Sequence, residues 1–355
     1  MKNLLILSAL GALMSSASAQ WSDNFDSYTT GQQLHGVGGW QGWDNVAGAG
    51  ALTSAAQSFS APRSVAIGAG TDLVHLYSGV NSGVWTYNAK LYMPSGRSGA
   101  TYFILMNQYA DTVGPYNWSC EIQMSAAGVC IDDIRTETPR TLNLNAWNDI
   151  TVVFDMSSNA QRTYINGQLL SSGAWGVETG FIMNLAAVDL YAGGSANVFY
   201  DNLSLTPGLT DYAVTSGSEF SSHNVALARG SDDSRVRIFN DDTTLIGQVE
   251  FYGSTTFLTP SECTLTVEHS DARPGLAFVV DQYNYDAPGF DAEVGGEEFS
   301  TDSVTTVSLG AAAGAHVSAT GAMTARVTWA PVNDEDPSQD GWLQDVDQVK
   351  WTVTP

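Results

Sequence analysis

Basic residues are scarce in this chain. Lys and Arg together number 13 against 37 Asp and Glu in 355 residues, a formal net charge of −24. Phosphate backbones and polyanionic glycans need a basic surface, and none is visible, which excludes nucleic acid as a partner. The deficit is uneven: residues 20–207 hold 14 acidic and 6 basic side chains, net −8, and residues 208–355 hold 23 and 6, net −17. Solubility in a salty medium accounts for acidity of this kind. Cysteine is almost missing too, with only Cys120, Cys130 and Cys263. No CxxC stands with a His pair, so a zinc site finds no support. Cys120 and Cys130 flank the turn-like Ser125-Ala126-Ala127-Gly128 and suit either a hairpin disulfide, which an export compartment permits, or two buried thiols. The five histidines (35, 75, 223, 269, 316) are scattered, without a G-x-S-x-G elbow or an H-E-x-x-H pair. The acidic loops Ser231–Ser234, Asn240–Thr243 and Asn333–Gly341 do not have EF-hand spacing. Capped segments of helical period are hard to find.

Long hydrophobic runs are also lacking. A membrane span needs about 20 apolar residues, and the stretch Leu4 to Met14 is broken by Ser15, Ser16 and Ser18. With Lys2 before it and Ala17-Ser18-Ala19 after it, this stretch reads as a secretory signal over 1–19, cleaved after Ala19 to leave a secreted, extracellular product. The remaining length suits two domains of roughly 150 residues each. Short alternating runs punctuated by Gly, Asn, Asp and Ser predict an all-β protein built from sandwiches.

The clearest pattern is Asn145 to Leu170. Ile150, Val152, Phe154 and Met156 alternate onto one face of a strand, opposite Trp147, Asp149, Thr151, Val153 and Asp155. A second strand, Arg162 to Ile165, closes on Asn166-Gly167, the dipeptide suited to a type I′ hairpin turn. Val84 to Met93 behaves alike: Trp85, Tyr87, Ala89, Leu91 and Met93 oppose Thr86, Asn88, Lys90 and Tyr92. In Tyr116–Met124 the set Tyr116, Trp118, Cys120, Ile122, Met124 opposes Asn117, Ser119, Glu121 and Gln123. Such strands cover a core and leave one polar sheet face. That face, carrying Asn88, Lys90, Tyr92, Glu121 and Gln123, is the candidate ligand surface. Trp40 and Trp43 join it if exposed, where their rings would stack on sugars; tucked in, they would plug one end of a sandwich. Asp201 shares the parity of Phe199, Leu203 and Leu205. An acid directed at a core is either hydrogen-bonded or metal-bound, and with Asp26, beside a first strand headed by Phe25, it forms a possible structural Ca²⁺ site.

The runs NFDSY…GW…W, SGVWTYNAKLYMPSG, WNDITVVFD…YINGQ and VDLYAGG…VFYDNLSL resemble the concanavalin A-like lectin/glucanase jelly roll, of the LamG-like type found in secreted bacterial proteins, over residues 20–207. The resemblance implies a jelly-roll sandwich and a superfamily of lectins, adhesion modules, glycosidases and polysaccharide lyases. The E-x-D-x-x-E of its glucanase branch is absent. Arg135-Thr136-Glu137-Thr138-Pro139-Arg140 matches the R-[TS]-E-x-R of its lyases only superficially, and no Q-[IV]-H strand follows. Residues 208–355, after Thr206-Pro207-Gly208, predict a second β-sandwich, with strand candidates including Asn224–Ala228 and Ala322–Trp329.

Three functions follow as expectations. The first is a non-catalytic lectin-like or surface-adhesion protein for a neutral polysaccharide or a cell-surface or matrix glycan. The second is a glycoside hydrolase using Glu121 with Asp132 or Asp133, since glycosidases need two carboxylates about 5–10 Å apart. The third is a structural exoprotein without a ligand, which would show a flat, aromatic-free polar face.

Overall fold

The computed structural model describes residues 21–135, 138–194, 196–220, 222–230, 235–271, 276–297, 302–332 and 342–354. The expected signal segment and the acidic loops at 231–234 and 333–341 lie outside the described residues. Nearly all regular structure is antiparallel strand, arranged as two β-sandwiches that follow one another along the chain. Among the described residues no helix is long and apolar enough to cross a membrane.

The first, a jelly-roll sandwich, has an eight-stranded and a seven-stranded sheet. The eight-stranded sheet runs Gln168–Gly173, Ala160–Ile165, Trp147–Asp155, Val84–Tyr92, Val198–Pro207, Ser64–Ile67, Leu52–Ser54, with Trp21–Asp23 also paired to Val198–Pro207. The seven-stranded sheet runs Arg140–Thr141, Val129–Asp132, Asn117–Met124, Thr101–Gln108, Ala187–Ala192, Thr71–Leu76, Trp40–Gly42. Alternation decides what lies between them. Trp85, Tyr87, Leu91, Ile150, Val152 and Phe154 point inward from one sheet onto Phe103, Leu105, Ile122 and Leu190 from the other. Each such buried side chain is worth about 1.5–3 kcal/mol of transfer free energy. Asn166 and Gly167 have φ of 49° and 74°, the two positive values that a type I′ turn demands.

Two bulges reverse the parity that simple alternation gives. In Val198–Pro207 the register slips between Asp201 and Ser204, at Asn202 with φ 46°. Leu203 and Leu205 therefore face the core, whereas Asp201 lies opposite Lys90, on the outward side. In Asn117–Met124, Leu105 pairs with Cys120 but Met106 with Trp118, leaving Ser119 as an extra residue. Cys120, Ile122 and Met124 stay in the main core, while Trp118 turns outward and packs on a separate cluster. Extra residues in one strand have this effect because each shifts the two-residue period by one. Two further expectations are corrected. The first strand is Trp21–Asp23, and Phe25 (φ 58°) follows it in a turn, its ring buried in the core. Val225–Ala228 is a 3-10 helix rather than a strand. Cys120 and Cys130 are both buried free thiols. The register places Cys130 opposite Met124, four residues and about 13 Å along the strand from Cys120.

The second sandwich packs two five-stranded sheets, Leu209–Ser216, Gly247–Ser254, Ala322–Pro331, Leu276–Asn284, Gly289–Glu297 against Ser218–Glu219, Val236–Phe239, Leu343–Thr354, Glu262–Asp271, Ser303–Ser308. Phe251, Leu265, Val267, Trp329 and Trp351 belong to its core. The chain passes between the sandwiches at Gly208, whose N–H donates to Val84 O (2.7 Å) and whose carbonyl accepts from Ser254 N (2.9 Å). Lys350 Nζ bonds Asp155 Oδ2 at 3.2 Å, and Phe257 meets Tyr164 edge-on with centroids 5.5 Å apart. The second sandwich thus closes one end of the eight-stranded sheet's outer face.

Candidate functional site

The expected ligand surface is divided between opposite sides of the first sandwich. Asn88, Lys90 and Tyr92 face outward from the eight-stranded sheet, and Glu121 and Gln123 face outward from the seven-stranded one. One polar face was expected because period-two alternation distinguishes inward from outward but does not assign a strand to a sheet.

The outer face of the seven-stranded sheet is aromatic and acidic. Val74, Ile104, Met106 and Ala187 point outward from its strands yet are buried, because Trp43, Tyr102, Tyr109, Tyr116 and Trp118 pack over them. Those five rings are themselves only half-buried. Trp43 lies 4.9 Å from Tyr116 and 5.1 Å from Tyr109, centroid to centroid, and Tyr102 lies 5.8 Å from the exposed Tyr191. Polar groups hold the three tyrosines of this layer in place. Asp44 Oδ1 accepts from Tyr116 Oη and from Thr112 N (2.9 Å), Asp44 N donates to Tyr109 Oη at 2.8 Å, and Gln41 Nε2 donates to Asp111 Oδ1 at 2.6 Å. Gln123 Nε2 donates to Tyr102 Oη (2.9 Å) and Asp133 Oδ2 (3.0 Å).

Carboxylates cross the same face. Tyr191 pairs with Asp72, so Asp189, two residues earlier, has its carboxyl diagonal to that of Asp72, and the two share a hydrogen bond. Two carboxyls bond only if one keeps a proton. Burial, and then the Asp72 charge, pushes Asp189 well above the usual carboxylate range. Asp72 is raised as well, first by burial. Glu121 lies one strand beyond Ile104 in the row from Asp189, about 10 Å away at ordinary strand spacing. It is raised by burial first and then by Asp133 and Glu178. Among the described residues no lysine or arginine forms an ion pair with Asp72, Glu121, Asp133 or Asp189.

Other expected site residues are placed elsewhere. Trp40 is 1% exposed, within the main core, its Nε1 donating to Asp23 Oδ2 at 2.8 Å, so it is not a ligand residue. Trp43, three residues later, is the one of the pair that reaches the surface layer. Asp132 is not a partner for Glu121. It is buried, directed inward beside Arg135 (3.4 Å), and accepts from Ser171 Oγ, whereas Asp133 is exposed. Asp201 takes N–H donors from Phe59 (2.6 Å), Ser60 (3.1 Å) and Asn202 (2.8 Å). Asp26 takes them from Arg63 N (3.0 Å) and Asn24 Nδ2 (2.9 Å). Among the described residues no group of three or more His, Cys, Asp or Glu stands together there to hold a metal ion. Tyr92 sits in an aromatic group with Trp147 (5.6 Å) and Phe199 (6.2 Å). Lys90 pairs with Asp149, directly opposite it on the neighbouring strand.

Asp72, Asp189, Tyr102, Tyr109, Tyr116, Trp118 and Tyr191 were absent from the sequence-derived site. Tyr116 and Trp118 share the alternating set of Cys120, Ile122 and Met124, and Asp189 and Tyr191 lie in the VDLYAGG run, but nothing in those patterns marks them as an outward layer.

No family model matches the chain, and no curated protein matches it. Solved structures give distant likenesses. The endo-β-1,4-glucuronan lyase of Trichoderma reesei aligns over 54% of this chain and 96% of its own, at 9% identity and TM-score 0.34. The cellulose-induced protein Cip1 aligns over 53% and 97%, at 15% identity and TM-score 0.36. A Trypanosoma rangeli sialidase aligns over 44% of this chain, which spans only 27% of that enzyme, at 11% identity and TM-score 0.34. Likenesses so distant carry no residue role.

Proposed function

We propose that the protein binds an uncharged polysaccharide on the outer face of the seven-stranded sheet, as a lectin-like or surface-adhesion protein of the LamG-like kind that its sequence resembles. The carrying observation is the layer of half-buried rings, Trp43, Tyr102, Tyr109, Tyr116 and Trp118, held in fixed orientation over an outer apolar cluster. Aromatic faces are electron-rich and accept the C–H face of a pyranose. Carboxylates and amides alongside them, Asp44, Asp111, Glu121 and Gln123, accept and donate hydrogen bonds to hydroxyls. A face with several acids and no paired cation repels anionic glycans, and the aromatic layer argues against a bare scaffold. Electrophoresis through gels containing neutral glucans, mannans, galactans or xylans tests the reading. Retardation in at least one gel, lost in Trp118→Ala and unchanged by a calcium chelator, is expected; migration unaffected by every polysaccharide contradicts it.

A second reading, a glycoside hydrolase on the same face, is favoured by the Asp72–Asp189 pair. A carboxyl kept neutral by burial is a general acid, and Glu121 at about 10 Å approaches the separation that inverting glycosidases use. Here Asp189 replaces the inward-facing Asp132 as a partner of Glu121, with Asp133 beside Glu121 on the same face. Reducing-sugar release that disappears in both Asp189→Asn and Glu121→Gln supports it; release that survives either substitution removes that residue from the chemistry.

A further inference from the structure

The opposite side of the first sandwich carries a cleft that the proposed function does not use. Its volume is about 960 Å³, at the upper end of the range for ligand pockets. The strand register lays its floor as a lateral row. Ser22 pairs with Ser204, Ser204 with Asn88, and Asn88 with Thr151, so four small polar side chains stand side by side across four strands. At ordinary strand spacing that row is about 14 Å long, enough for a short oligosaccharide. Thr256 and Phe257 of the second sandwich line the cleft, the Phe257 ring braced edge-on against Tyr164, next in the row after Thr151. The second sandwich thus supplies one wall of a cleft built mainly by the first.

The lining selects a ligand class. Hydroxyls and amides dominate the floor, the one lining cation, Lys90, is paired with Asp149, and Asp23, which accepts from Tyr28 Oη (2.6 Å) and Trp40 Nε1 (2.8 Å), adds a carboxylate that disfavours anions. Asn88 Oδ1 accepts from Thr151 Oγ1 at 3.0 Å, but its Nδ2 is buried without a partner. We propose that this cleft is a second saccharide site, for an uncharged oligosaccharide, distinct from the aromatic face. The consequence, resting on the function proposed above, is that the protein carries glycan on two opposite faces and joins separate chains. A single strand would have to wrap around the sandwich to fill both.

Titration calorimetry of the full chain with uncharged hexasaccharides of glucose, mannose, galactose and xylose tests this. Two sites per chain are expected. Ser22→Tyr, at an exposed position that fills the cleft, and Asn88→Ala each weaken one site tenfold or more and leave the other. Trp118→Ala does the reverse. Thermal melts identify any variant that fails to fold, and Ser22→Tyr keeps the test decisive if Asn88→Ala does. Binding at two sites that survives Ser22→Tyr, or a single site lost only in Trp118→Ala, overturns the cleft while leaving the aromatic face standing. A single site lost in the cleft variants and kept in Trp118→Ala supports the cleft and overturns the aromatic face. Absence of heat with all four sugars overturns both.

Discussion

The two outer faces of the first sandwich differ more than their sequence patterns do. Both come from strands that alternate apolar and polar residues. Yet the eight-stranded side presents a row of Ser, Thr and Asn, a Lys90–Asp149 pair and, beyond them, the Tyr92–Trp147–Phe199 rings, while the seven-stranded side presents a broader layer of rings with carboxylates that, among the described residues, have no paired cation. The difference lies in what covers the outward positions. On the seven-stranded side the outward residues include Val74, Ile104, Met106 and Ala187, which need covering, and loop and strand aromatics cover them. On the other side the outward row is small and polar, and it stays open up to the second sandwich.

The contrast between inward and outward acids is sharpest at Asp132 and Asp133. Asp132→Asn strands the buried Arg135 guanidinium without its counter-charge and is expected to cost about 3–5 kcal/mol. Asp133→Asn, one residue on and exposed, is expected to change stability by less than about 0.5 kcal/mol. Chemical denaturation of both variants checks this; equal effects would contradict the assignment of faces.

Titration separates the core from the acidic face by sign. His75 is 7% exposed among Trp21, Trp40 and Tyr77, and burial lowers its imidazole to about 4. Below about pH 6.5 the unfolded chain takes up the proton first. The stability from a neutral His75 is therefore present above that pH and is lost as pH falls toward about 4, by about 3 kcal/mol. Asp189 has the opposite sign. Its folded pKa is raised, so stability is greatest at low pH and declines as pH rises through the folded value. Denaturation midpoints measured across pH for His75→Leu and Asp189→Asn separate the two: the first flattens the acid limb, the second the alkaline limb.

On the binding side, Trp118→Ala is expected to cost about 2 kcal/mol of glycan affinity at the aromatic face, the usual loss for an aromatic anchor. Gel retardation constants measure it. A smaller effect, of opposite sign, is expected at neutral pH, where Asp189→Asn relieves the crowded carboxyl pair and gains about 1 kcal/mol of stability. A loss instead would mean that the shared proton holds the two strands together.

Much of the fold was legible in the sequence. Trp85, Tyr87, Ala89 and Leu91, and Ile150, Val152, Phe154 and Met156, all face the core as their alternation requires, and Asn166-Gly167 makes the turn its dipeptide favours. The site was legible only in fragments, for three physical reasons. Outward parity does not say which sheet a strand joins, so Lys90 and Glu121 were placed together. Bulges at Asn202 and Ser119 reverse parity without a sequence mark, which sent Asp201 and Trp118 to the wrong sides. The Asp72–Asp189 pair is created by non-local strand pairing, and no spacing within either segment announces it.

The central claim is that the rings on the seven-stranded side hold an uncharged glycan. Its most direct test compares wild-type protein with the Trp43→Ala/Trp118→Ala double variant in gels containing the neutral polysaccharide that retards the wild type most, after melts confirm that both are folded. Retardation of the wild type, reduced tenfold or more in the double variant, is the predicted result. Equal retardation of the two proteins would contradict the account.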